Sequence, residues 1–181
     1  MTRDEALKLL NEKIANGNLK KHMLATEAVL RRLARRFGED EETWGLAGLL
    51  HDLDYDLTAN DFARHGLITE SWLLPTDLPR ESIDAIKCHA GHFPRQTRMA
   101  KALYAVDPVT GLVVAAALMH PSKKLAALDL DFLERRFKEK RFAAGANREQ
   151  IETCGEIDMT LSDFLTESLA AMQGIHEELG L

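Results

Sequence analysis

The sequence predicts an all-α fold, and three observations carry that reading. Apolar residues recur at steps of three and four along nearly every segment, which is the helical period. Strictly alternating stretches, the mark of half-buried strands, are nearly absent. The breaks between periodic segments are polar and contain helix-capping residues. The 181 residues suit a single domain with ample core, spanning residues 1–181.

The first segment, "MTRDEALKLLNEKIANG", sets acidic residues within an amphipathic pattern and lacks the long apolar stretch of a signal peptide. A cytoplasmic location is therefore expected. Over Leu19–Phe37, the residues His22, Thr26, Val29, Leu30, Leu33 and Phe37 share one face, so His22 points inward. "FGEDEE" is a turn followed by an acidic helix start. After it Trp44, Ala47, Gly48 and His51 again share a face, which turns His51 inward too. Asp52 closes that helix, and "LDYDLTAND" forms a polar connection in which Asp54 and Asp56 read as loop and capping residues rather than ligands.

A helix from about Asn60 to Leu74 is expected to carry His65, and "PTDLPRES" ends it and begins the next, with Pro79 near a first-turn position. His89 lies one turn beyond Ile86, and "CHAGHFPRQ" breaks that helix. A further helix, about Thr97 to Tyr104, leads into "AVDPVTGLVVAAALMHP". Pro108 disfavours helical geometry at Asp107, which predicts a bend between helices there. The longest apolar run, Gly111 to Met119, is about half a bilayer span, so no transmembrane helix is predicted. The last third reads as three helices. Asn147 and Gln150 have capping-box spacing, Thr160 and Asp163 nearly so, and Met159 with Phe164 has the spacing of a hydrophobic staple.

Cys88 and Cys154 show no disulfide pattern and read as free thiols, Cys88 as a packed residue rather than a ligand. A net charge of −6 argues against non-specific binding to nucleic acid or anionic membranes.

His51 and Asp52 in "AGLLHDLDYD" put an imidazole beside a carboxylate at the end of an apolar helix, a ready pair for a metal ion. With His22, His65, His89 and Asp107 the order resembles the HD-domain superfamily of metal-dependent phosphohydrolases, over about residues 20 to 120. His65 in "ARHGLITES" and His89 in "IKCHAGH" match the subset, HDIG-like, whose site is binuclear. The resemblance implies an HD-type helical bundle with a metal-site core over about 20–120 and a helical extension over about 121–181 that packs on it or covers the pocket. It implies one ion held by His22, His51, Asp52 and Asp107, and a second by Asp52, His65 and His89, with Asp52 as bridge. Divalent transition metals suit these donors, iron or manganese first, with zinc, cobalt and nickel as alternatives.

The activity implied is hydrolysis of a nucleotide or another small phosphate ester by metal-bound hydroxide, two ions clamping an in-line displacement. The partner expected is a small phosphorylated substrate, and a homo-oligomer is compatible with the sequence. Lys123 and Lys124, shortly after Asp107, are candidates to position phosphate oxygens; Arg135, Arg136, Lys138, Lys140 and Arg141 read first as a solvated helix face. His92 stays open between assisting His89, orienting the ligands, protonating a leaving group, and sitting in the loop before Pro94. Two rival functions remain: a di-iron oxygenase of HD type, and a non-catalytic metal- or nucleotide-binding module.

Overall fold

Helices alone make up the regular structure of the computed structural model, which covers residues 1–181. In α1 (Arg3–Lys13) Thr2 and Glu5 cap each other: the Thr2 hydroxyl accepts from the Glu5 N–H at 3.3 Å, and the Glu5 carboxylate accepts from the Thr2 N–H at 2.7 Å. α2 (Gly17–Phe37) starts on the Asn16 side chain and ends at Gly38, whose φ of 69° closes the helix in the left-handed region. α3 (Glu41–Leu50) starts on Asp40, which accepts from the Thr43 N–H at 2.7 Å. α2 and α3 pack tightly together. At their closest approach lies Gly48, where a Cβ would sit 2.9 Å from the backbone of Thr26 and Glu27.

The chain then turns through α4 (Tyr55–Thr58) and a 3₁₀ turn at Phe62–Arg64 before α5 (Leu67–Leu73). The continuous helix expected from about Asn60 to Leu74 is thus broken, with His65 extended (φ −61°, ψ 134°) and Gly66 at φ 78°. Glycine takes that φ without steric penalty, so the dipeptide His65-Gly66 is a hinge in the backbone rather than part of a helix. α6 (Arg80–His89) follows Pro79.

α7 (Arg98–Met119) runs through the middle of the bundle against α2 and α6. By length and composition it is the one helix able to cross a bilayer, yet 56 % of its most apolar window is buried inside the protein. The break between helices expected at Asp107 is absent: Asp107 and Pro108 lie within one continuous helix. Pro108 has no N–H to offer the carbonyl of Tyr104 one turn earlier.

After α7 come α8 (Leu130–Lys138), α9 (Arg148–Glu152), α10 (Leu161–Gln173) and α11 (His176–Leu179). Asn147 and Thr160 cap α9 and α10 as their spacing predicts, each accepting an N–H at 3.1 Å. Gln150 leaves the capping box half made. Its Nε2 instead donates to the Tyr104 carbonyl at 2.8 Å, supplying the hydrogen bond that Pro108 withholds. α10 packs on α2 and α7, and its Phe164, Leu165 and Leu169 join one core cluster with Leu30, Leu33, Leu49 and Leu103.

Candidate metal centre

Four imidazoles and two carboxylates converge where α2, the end of α3, the His65-Gly66 break, the end of α6 and the middle of α7 meet. His51, Asp52, His65 and His89 are buried, whereas the His22 and Asp107 side chains keep 23 % and 31 % exposure and form the open side.

Each imidazole has its Nδ1 engaged. His51 Nδ1–H donates to the Gly48 carbonyl at 2.8 Å, and His89 Nδ1–H donates to the carbonyl of Ile86. His65 Nδ1–H donates to the Asp54 carboxylate at 2.8 Å. The Thr110 hydroxyl spends its proton on the Asp107 carbonyl at 3.0 Å, so its oxygen accepts from His22 Nδ1–H at 2.8 Å. Carbonyls and carboxylates only accept, so these partners fix the tautomers and aim all four Nε2 atoms into the centre.

Around those nitrogens the two oxygens of Asp52 face different neighbours. Oδ2 lies 3.5 Å from Nε2 of both His22 and His51. Those two nitrogens are 3.1 Å apart, and Asp107 Oδ1 stands 3.2 Å from His22 and 3.9 Å from His51. Oδ1 lies 3.2 Å from Nε2 of both His65 and His89, which are 3.0 Å from each other. Donors about 2.0–2.2 Å from one ion, at octahedral or tetrahedral angles, stand roughly 2.8–3.6 Å apart. Nearly every separation falls in or beside that range, so the cluster of imidazoles and carboxylates fits the binding of divalent metal.

Protons compete for the same positions. Burial disfavours a charge on His22, but its hydrogen bonds to Asp107 and Asp52 outweigh that and raise its pKa to about 10. His65 is likewise desolvated, yet Asp52 and Asp54 raise it to about 9. Burial drives His51 the other way, to about 4, leaving its Nε2 a bare acceptor for the proton on His22. Burial works to raise the Asp52 and Asp107 carboxyls, but the surrounding imidazoles hold both below the usual carboxylate range. Without metal, His22 and His65 therefore each hold a second ring proton at pH 7. Metal binding through both imidazoles is expected to release about two protons, and the affinity at each imidazole should fall about tenfold per unit of pH below 9. Calorimetry of metal binding in buffers of different ionisation enthalpy measures that release.

Of the sequence candidates, His22, His51, Asp52, His65, His89 and Asp107 come together, and three do not join them. Lys123 and Lys124 are exposed in the turn beyond Met119. Because α7 continues through Pro108, its last residue, Met119, lies about 18 Å along the helix axis past Asp107, and the two lysines come after it. Neither lines the cavity at the centre. His92 is exposed, and its Nε2–H donates to the carbonyl of Phe62 at 2.9 Å, with its ring edge-on to that of Phe62. It braces a rim segment and is no part of the donor set. The basic stretch is a solvated face, with Arg136 paired to Glu139 at 2.8 Å. The Cys88 thiol is turned to the Pro94 carbonyl.

Two contributors were not read from the sequence as part of the site. Thr110 stands one turn after Asp107 on the same helix, a spacing that marks it. Asp54, placed above among loop and capping residues, is fully buried and accepts from His65 Nδ1–H and from the Thr69 N–H at 2.9 Å. Its signal is the alternation Asp52-Leu53-Asp54, a second carboxylate two residues past the first. Replacing Asp54 with asparagine should weaken the ion on the His65 side about 10–100-fold and leave the other nearly intact, as competition with a metal chelator would report.

A cavity of about 530 Å³ opens over the donors, walled by Asn16, Leu19, Tyr55, Phe62, Tyr104 and Gln150. A helical bundle presenting buried histidines and aspartates to such a cavity defines an α-helical domain able to bind metal. The sequence matches the HD domain family over residues 19–117, more than half of the chain and a span that holds all six donors. The chain belongs to that family, whose domains bind divalent metals and form a superfamily of metal-dependent phosphohydrolases. No curated protein and no solved structure matches the chain significantly.

Proposed function

We propose that the protein is a binuclear metal-dependent phosphohydrolase that cleaves a nucleotide or another small phosphate ester. The observation that carries this reading is the placement of Asp52, whose two oxygens face two separate sets of imidazoles. His22, His51 and Asp107 would hold one ion with it, and His65 and His89 the other; iron or manganese suits this donor set best. Bound there, two divalent ions supply an activated water and offset charge on a phosphoryl group.

The chain's own part is positional. Gly48, Ile86, Thr110 and Asp54 lock the imidazoles before any substrate arrives, so little rearrangement is required during the reaction. Asp107, with the more exposed carboxylate of the pair, stands on the side from which substrate and water enter. No serine or cysteine lines the cavity, so neither is at hand as a nucleophile.

Elemental analysis of the purified protein, followed by phosphate-release assays with the metal it carries, tests the proposal. Two ions per chain and release of inorganic phosphate support it. Substrate-dependent oxygen uptake with iron and no phosphate release would establish a di-iron oxygenase instead. Tight metal with no turnover of either kind would leave a binding module.

A further inference from the structure

The walls of the cavity over the donors contain Tyr55, Phe62 and Tyr104 and neither lysine nor arginine. Tyr55 and Phe62 are 42 % and 54 % exposed, unusual for large rings beside a buried site. Both lean on His65, with ring centroids 5.6 and 5.2 Å from its imidazole. They therefore flank the His65–His89 half of the centre. Phe62 is braced at its backbone by His92. The adjoining cavity of about 340 Å³ against Asp107 and His22 is walled by Pro108, Gly111, Ala143, Gly145 and Ala146, again without a cation.

Charge limits what fits. Two divalent ions against the carboxylates of Asp52 and Asp107 leave about two positive charges in excess, which a single phosphomonoester dianion neutralises. A diphosphate or triphosphate would bring further charge into walls with no free lysine or arginine to meet it: Lys21, in the cavity on the other side of His22, donates to the Leu179 carbonyl at 2.7 Å, and Arg95, stacked on the Tyr104 ring, is paired with Glu156. Flat π-faces, by contrast, find rings at stacking distance from the metal side of the cavity.

We propose, resting on the phosphohydrolase reading, that the substrate is a phosphomonoester whose leaving group carries a planar aromatic system, as in a nucleoside monophosphate. The flat group packs on Tyr55 and Phe62 while its one phosphate meets the metal centre. His92 acts as a positioning residue for Phe62.

Calorimetric binding to the manganese-loaded protein, with manganese in excess, tests this apart from turnover. Adenosine 5′-monophosphate should bind about tenfold more tightly than ribose 5-phosphate and than adenosine 5′-triphosphate. Phe62→Ala should weaken the monophosphate about tenfold and ribose 5-phosphate less than twofold. Equal or tighter binding of the triphosphate, equal binding of ribose 5-phosphate, or equal losses for both ligands in the Phe62 variant would overturn the proposal. The predicted order of binding without phosphate release from any ligand would support the ligand class while refuting the hydrolase reading.

Discussion

Replacing Asp52 with alanine is expected to empty both metal positions at once and to lower phosphate release more than about 100-fold, beyond the usual effect of losing an outer partner. The reason is geometric: Oδ2 belongs to the donors around His22, and Oδ1 to the pair formed by His65 and His89. His65→Ala, in contrast, should deplete mainly one ion. Elemental analysis of the two variants side by side measures this, and two ions retained by the Asp52 variant would refute the shared carboxylate.

The second large effect is expected from adding one methyl group at the α2–α3 crossing. Gly48→Ala would place a Cβ at 2.9 Å from the Thr26 and Glu27 backbone, where no flexible side chain can give way. Separating α2 from α3 should cost about 3 kcal/mol, the upper end for overpacking, and lower the melting temperature by roughly 6–12 °C. The same shift would move His22 from His51 and tilt the Gly48 carbonyl that holds His51. Metal affinity on the His22 side should fall with stability, whereas an ordinary core defect would lower stability alone.

The inward faces of α2 and α3 were legible because helical spacing alone fixes which residues share a side, and His22 and His51 followed from it; Asp52 entered as the neighbour of His51 and through the resemblance to the HD-domain order. What escaped depended on partners distant in sequence. Pro108 reads locally as a bend, and only Gln150, more than 40 positions later, lets the helix run through it. Lys123 and Lys124 were expected near the site because they follow Asp107 closely in sequence beside a helix end, whereas the unbroken α7 separates them from it. Asp54 sits in a stretch whose composition is that of a turn, and its burial arises only once α5 folds over it and Thr69 donates to it. For His65 the helical periodicity was misleading. The left-handed Gly66 breaks the helix, and that break brings the imidazole within 3.2 Å of Asp52.

Gln150 lies outside the span that matches the family, while the carbonyl it satisfies lies inside, less than one turn from Asp107. The boundary that sequence similarity draws at residue 117 is therefore not a boundary of mechanical independence. A fragment cut there would lose the donor that repairs a proline gap in its own central helix, together with one wall of the cavity. In this chain the C-terminal segment belongs to the scaffold that carries Asp107, and transplanting the family core into another protein would require carrying α9 along with it.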